Sequence, residues 1–356
     1  MIAELSPRQT AAAVVSRLDP LSDAGWDRRV AALPGAGFFH SAAWARVLHR
    51  SYGFTPYYLG ATVQNQLQSL LPLMEVDSWA TGRRAVSLPF TDACPALVAE
   101  PAAFAPLFDA ALRTARDRRW IYLELRAGSP LLEEEPVAFS FWGHRLPLEA
   151  GADALFARAS GAARRGVRLA QSNGVTIKVS HSAEAMLTFY HLLGPTRQRH
   201  GVPTQPFRFF EALHQEVIAR RQGCVVLAYF GHTPVAGAVF LHAGRKAIFK
   251  YGASLAAWQH LRPNNLVIWE AIAWHARHGF EELCFGRTAR GNEGLRRFKL
   301  GWGAEERPLD YHRYHLRSAR FVAPISSARS WPRRLFQTLP LPVSRLLGAA
   351  LYKHAG

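Results

Sequence analysis

The chain has 356 residues, of which 49% are hydrophobic and 12% aromatic, and a formal net charge of +17. This length has room for about two domains of ordinary size, and the apolar content excludes a disordered chain. So large a positive charge points to an anionic partner: nucleic acid, a phosphorylated donor or acidic lipid. Cys94, Cys224 and Cys284 stand singly and far apart. Their spacing forms no metal pattern, and an odd count suits a reducing compartment. At the N-terminus Glu4, Arg8 and Arg17 interrupt every apolar run. That predicts neither a signal peptide nor a membrane span, and hence a cytoplasmic protein.

Residues 1–37 read as a lead-in with one short strand and a helix near Trp26. Ser41 can cap a helix with Trp44, Val47 and Leu48 on one face. Tyr57–Thr62 and Leu67–Val76 form a hairpin around the polar turn Gln64-Asn65-Gln66. Arg84–Pro89 adds a strand, with Thr91-Asp92 in the loop after it. Ala103–Arg118 is an amphipathic helix, and Trp120–Leu125 a strand. The second half repeats this order: helices over 182–193 and 206–221, then a hairpin over 224–242. A strand over 246–253, a helix over 265–278 and a strand over 281–285 complete it. Between the halves, Phe156–Val179 carries Arg158, Arg164, Arg165, Arg168 and Lys178 with no acid. A helix over Ala162–Gln171 there is either a solvated basic face or an anion-binding one.

The densest signals lie between Cys224 and Gly303. Gly231-His232 and Gly244-Arg245 supply turns between three strands. Arg262-Pro263-Asn264-Asn265 is a helix entry, with Asn capping free N–H groups. Gly279 stops the helix Leu266–Arg277. After the strand Glu281–Phe285, the run FGRTARGNEGLRRFKLGWG reads as a glycine-rich basic loop.

Antiparallel hairpins leading into a helix and then a further strand resemble the GNAT acyltransferase core. The KYGAS strand ending, Arg262-Pro263-Asn264-Asn265-Leu266, Phe285-Gly286-Arg287-Thr288 and Gly294-Leu295-Arg296-Arg297-Phe298-Lys299 are similar to the FemAB-like branch. That branch comprises the peptidoglycan bridge aminoacyltransferases and their relatives. The resemblance spans roughly Phe38 to Tyr314. It implies an α/β fold of two tandem GNAT-like domains, each a mixed, mostly antiparallel sheet flanked by helices. The expected divisions are 1–155, 156–315 and a basic amphipathic tail, 316–356. It also implies an acyl-CoA or aminoacyl-tRNA donor, no metal, and Asn264 and Asn265 beside the donor, where a helix N-terminus attracts phosphate.

Acyl transfer to an amine needs a held amine, a stabilised oxyanion and a proton for the leaving group. Lys299 matches a lysine implicated in transfer in FemAB enzymes, and its loop lies open to close approach. Asp92 at a strand end can bind or deprotonate an amine, or simply close an Asx-turn. Tyr251 can donate a proton or a hydrogen bond. Alternation puts Lys250 and Tyr251 on opposite faces. His40 and Trp44 resemble the helix start near the FemAB acceptor, although Arg46 and His49 stand where that branch has a lysine. Arg197 and His200, in a basic loop before an aromatic helix, can hold phosphate or carboxylate. Phe298 and Arg287 complete the substrate-binding set.

From Tyr311 onward there is no Asp or Glu, and eight Lys or Arg residues mix with Trp331, Leu335, Phe336, Leu346, Leu347 and Leu351. This is the composition of a helix lying in an anionic membrane surface. It also fits a C-terminal helix packed on the body, or an RNA-binding tail. The leading reading is an N-acyl or aminoacyl transferase acting on an amine of a cell-envelope precursor, peripheral on the inner face of the membrane. A second reading is an acyl-CoA-dependent N-acetyltransferase of a small-molecule amine. A third, of a different class, is a non-catalytic RNA- or membrane-binding protein on a GNAT scaffold; tRNA is a candidate partner as the aminoacyl donor of the leading reading.

Overall fold

The computed structural model describes residues 14–127, 132–323 and 333–355. The first half contains β1 (Val14–Leu18), β2 (Thr55–Pro56), β3 (Tyr58–Val63), β4 (Gln66–Leu71), β5 (Met74–Val76), β6 (Arg84–Val86), β7 (Leu97–Val98) and β8 (Tyr122–Arg126). β9 (Phe139–Pro147) links it to the second half. There follow β10 (Val175–Ser180), β11 (Gly223–Phe230), β12 (Thr233–Ala243), β13 (Lys246–Ser254), β14 (Glu282–Ala289), β15 (Glu305–His315) and β16 (Arg320–Phe321).

The two halves share one strand plan. β3 and β4 turn through Gln64 and Asn65, both at positive φ (48° and 64°). Such a turn matches the twist of a two-residue hairpin. The hairpin of β11 and β12 holds the corresponding place, with β1 beside β3 and β10 beside β11. Each half then has one parallel pair, β6 with β8 and β13 with β14. The first half departs from the plan at one point: β4 and β5 part, splitting a four-stranded sheet from the twelve-stranded one.

The large sheet runs β10-β11-β12-β13-β14-β9-β15-β8-β6-β5-β2. Its centre is an exchange. β9, which follows β8 in the chain, pairs with β14 of the other half. β15, which follows β14, pairs with β8. β9 and β15 also pair with each other over seven positions, Glu305–Arg145 to Tyr311–Phe139.

Three apolar cores follow from this plan. One lies under the helix Phe104–Asp117 of the first half and one under the helix Pro263–Arg277 of the second. The third joins the halves. There Trp44, fully buried, meets Phe38, Phe39 and Phe209 edge-on, the last at 6.0 Å between centroids. Ser41 caps the helix carrying Trp44, accepting from Trp44 N at 3.3 Å. A buried Glu216 ties this helix to the second half, accepting from Arg46 at 2.9 Å and Arg50 at 2.5 Å. Trp44 is therefore a packing residue between halves rather than a substrate contact.

Several sequence expectations change here. The run after Phe285 is not a loop: β14 continues to Ala289, and Glu293–Leu300 is a helix capped by the Asn292 side chain. The helix at Pro263 begins without an Asn cap. Arg262, at φ 57°, occupies that place, and the Asn264 side chain instead donates to Ser254 Oγ at 3.1 Å. Asn265 packs against Gly166, where an added β-carbon would stand 2.7 Å from its Cγ. The basic helix Gly161–Ser172 thus sits directly against this entry.

The C-terminal segment packs on the body. Gln198 donates to Leu339 O at 2.7 Å, and Gly348 lies over the Thr204 carbonyl, where no β-carbon fits. Arg84 of the first half donates to His354 O at 2.8 Å. Arg329 and Trp331 lie outside the described residues. Among the described residues, no helix is long and apolar enough to cross a membrane.

Candidate active site

The parallel pairs each come apart early. β13 and β14 pair only from Lys246–Glu282 to Ile248–Cys284, and β6 and β8 only through Val86–Glu124. Beyond these points the paired strands part, and the carboxyl ends of parallel strands are where sheets of this kind hold ligands. Lys250, Gly286 and Arg287 lie just past one opening, and Ser87 to Asp92 just past the other. The exchanged centre brings the two openings face to face.

Asp92 stands between them. Lys250 Nζ donates to its Oδ2 at 3.1 Å, and Arg287 Nε lies 4.0 Å from Oδ1. Burial alone would raise its pKa, but Lys250, Arg287 and Lys299 together hold it below the usual carboxylate range. Asp92 is thus an anion at neutral pH. Its loop is held in a costly shape. Leu88 and Phe90, neither of them glycine, sit at φ 62° and 59° on either side of Pro89. Backbone strain of this kind persists only where the surroundings impose it. The restraints here are Thr91 Oγ1 donating to Leu88 O at 2.7 Å and Tyr311 OH donating to Asp92 O at 2.6 Å. Arg287 in turn donates to Tyr311 OH at 2.9 Å.

Lys299 is not the exposed loop lysine expected from the sequence. It is 2% exposed, on the helix capped by Asn292. Its Nζ donates to the carbonyls of Gly286 and Arg287, both at 3.1 Å. Burial lowers its pKa to about 8, against the opposing pull of Asp92 and Cys284. Phe298, beside it, packs into the second-half core against Trp302 and faces no cleft.

Lys250 and Tyr251 break the expected alternation. Tyr251 pairs with Val239 and Phe249 with Phe240, so Lys250 is the extra residue of a β-bulge. A bulge re-aims side chains, and both residues turn toward the core between the halves. Lys250 Nζ lies 5.1 Å from the Phe39 ring centroid and 5.6 Å from that of Tyr251, which packs on Phe210. Burial pushes the Lys250 pKa down against the pull of Asp92. Burial drives the Tyr251 phenol well above its ordinary value.

The remaining expected residues do not join the cluster. His40 is buried, held by the Gly37 backbone and by Pro95 O at 2.9 Å, and supports the segment after Asp92. Arg197 donates to Tyr352 OH at 2.5 Å, and Tyr352 to Pro203 O at 3.1 Å. His200 is exposed, and its neighbour Gly201 lies against the backbone of Arg333. The expected basic loop is instead the last turn of the helix Ala183–Arg199 with its C-cap His200, and the C-terminal segment packs against it. Tyr352 also meets Phe90 at 5.6 Å, so this segment packs against the strained loop that carries Asp92. A cavity of ≈ 630 Å³, lined by Pro95, Arg145, Arg307, Asp310 and His312 among others, opens beside the segment that follows Asp92.

Sequence reasoning named Lys250 without aiming it, and missed Gly286 and Tyr311 as site residues. No local pattern announces a bulge, and Tyr311 reaches Asp92 only through the strand exchange.

A family model described as an acetyltransferase (GNAT) domain matches residues 157–313. No curated protein sequence matches the chain. Among solved structures, FemX is similar with a TM-score of 0.67 and 15% identity, covering 83% of this chain and 96% of its own. The C-terminal domain of a putative lysylphosphatidylglycerol synthetase from Agrobacterium fabrum gives 0.54 and 14%, over 81% and 91%. A tandem GNAT protein from the clavulanic acid biosynthesis pathway gives 0.56 and 12%, over 86% and 99%. At such identities the likeness is one of fold.

Proposed function

We propose that this chain, whose residues 157–313 match an acetyltransferase (GNAT) domain model, is an N-acyl or aminoacyl transferase whose acceptor is an amine of a cell-envelope precursor. The observation that carries this reading is the Asp92, Lys250, Arg287 and Lys299 cluster, built from both halves at the mouths of two opened strand pairs. The shared fold with FemX and the lysylphosphatidylglycerol synthetase domain supports an envelope acceptor. An acyl-CoA-type donor suits the GNAT domain. An aminoacyl-tRNA suits the basic helix Gly161–Ser172 packed at the helix entry.

In the proposed reaction the neutral acceptor amine attacks the donor carbonyl. The C–N bond forms, the carbonyl π electrons move to oxygen, and the bond to sulfur or ester oxygen then breaks. Asp92, a fixed anion, holds the amine as a hydrogen-bond acceptor, and the proton that the nitrogen loses passes to solvent. Lys299, as an ammonium, offsets charge on the developing oxyanion. The departing thiolate or alkoxide takes a proton from solvent.

The test is a single-turnover assay with acetyl-CoA and aminoacyl-tRNA in parallel, combined with mass spectrometry of envelope precursors from a deletion strain. Transfer by neither donor, with an unchanged precursor profile, would leave the scaffold non-catalytic.

A second observation bears on where the protein works. Trp79 is 88% exposed, 5.4 Å from the His354 ring, and Leu346 on the C-terminal helix is 73% exposed. Arg333, Arg334, Arg345 and Lys353 belong to the same segment. Apolar side chains among cations suit an anionic membrane surface.

A further inference from the structure

We propose that Cys224, His242 and His275 bind a single thiophilic d¹⁰ cation, Zn²⁺ or Cu⁺, at the end of the second half remote from Asp92. One ligand atom from each lies within 4.8 Å of the others. Cys224 opens β11 and His242 closes β12, side by side because His242 N donates to Gln222 O at 2.9 Å. His275 comes from the helix Pro263–Arg277 that lies across this hairpin. Thiolate and imidazole together are the donor set such cations prefer.

The hydrogen bonds prepare the site. His275 Nδ1 lies 2.7 Å from Ala271 O, a carbonyl that can only accept. The ring proton of neutral His275 therefore sits on Nδ1, and Nε2 presents a lone pair. Metal-bound imidazoles are commonly oriented in this way. That lone pair faces His242 Nε2 at 2.9 Å. The Arg221 backbone offers His242 a second hydrogen-bond partner.

Phe240 and Phe280 close the site at 5.2 Å and 4.7 Å from the imidazoles. Cys224 is fully buried, which pushes its thiol to about 12. A bound cation deprotonates such a thiol outright. The balance is one cation bound, one S–H bond broken and one proton released to solvent. Metal–nitrogen bonds of about 2.0–2.1 Å require the two ring nitrogens to separate by a few tenths of an ångström. His242, half-buried beside the Gly244 turn, has room to do so. Sequence spacing hid the site, since its ligands come from two strands and a helix.

His275 lies eleven residues from Asn264, about 16 Å along the helix axis. The cation would clip this helix to the hairpin and take no part in transfer. This inference is independent of the proposed reaction.

The experiment uses the full chain without a histidine tag, reduced and freed of metal by a chelator. Co²⁺ is titrated as an optical probe, and Zn²⁺ and Cu⁺ are measured by competition with chromophoric chelators. The expected result is one equivalent bound, with a thiolate-to-cobalt charge-transfer band that Zn²⁺ displaces and a higher melting temperature. Cys224→Ala should lose the band. His242→Ala, at a half-buried position that tolerates truncation, should lose the one-equivalent uptake. Selective uptake of Cu⁺, abolished by both variants, also supports the site and names the ion. No equivalent bound, or uptake unchanged in both variants, overturns it.

Discussion

Asp92 and Gly286 share one space: a β-carbon on Gly286 would stand 3.1 Å from Asp92 Oδ2. Gly286 also sits at φ 66°, where a side chain is strained whatever room it has. Gly286→Ala should cost about 1–2 kcal/mol from the left-handed backbone alone and displace the carboxylate. Thermal melts and turnover of Gly286→Ala, Asp92→Ala and the double variant form a cycle. The second substitution should restore part of the lost stability without restoring activity. Additive losses would mean the two residues are not in contact.

Lys299→Met should lower turnover on the order of 10² to 10³ if the ammonium faces the oxyanion. It should also lower stability, because the Gly286 and Arg287 carbonyls lose a buried donor, at about 1–3 kcal/mol. A single-turnover assay below the melting temperature of the variant separates the two effects. Full activity in folded Lys299→Met would remove this residue from the mechanism.

The same lysine sets a pH signature. Its pKa falls from 10.5 unfolded to about 8 folded, so the unfolded chain binds more protons between those values. Stability from this group therefore rises as pH climbs from about 8 toward 10.5 and is flat below, at about 1.4 kcal/mol per pH unit at most. Turnover should do the opposite and fall above about 8 as the ammonium is lost. Denaturant melts and kcat/KM measured at matched pH check both slopes. In Lys299→Met both slopes should flatten.

How far the sequence could be read depends on what each element packs against. Trp44, Ser41 and the Gln64-Asn65 turn follow local rules, and each does locally what those rules require. β9 and β15 did not announce themselves. β15 carries Arg307, Pro308 and Asp310, and these residues line a cavity rather than a core, so no apolar alternation appears. The Glu293–Leu300 helix was hidden by its flanking glycines and by charges on its outer face. Lys250 could be named but not aimed, because its direction comes from the bulge. The site was legible as residue types, while its assembly depended on pairings far apart in the chain.

For the surface reading, Trp79→Ala and Leu346→Glu should each weaken binding to anionic vesicles more than to neutral ones. Binding by the unaltered chain should fall with salt, since exposed charges are screened over about 10 Å at 0.1 M. Sedimentation with vesicles measures this, and a melt confirms that the fold survives. Truncation before the C-terminal helix is the poorer test. It also removes Tyr352 from Arg197 and His354 from Arg84, and should destabilise the body directly. Equal sedimentation of all three proteins would rule the surface out.

The crossing of β9 and β15 has a consequence for inheritance. A gene fragment encoding either half alone would specify a sheet with a gap at its centre and a surplus strand beside it. Two such fragments made together could find each other, since each carries the piece that the other lacks. Each half finishes the other, and neither can be discarded without undoing both.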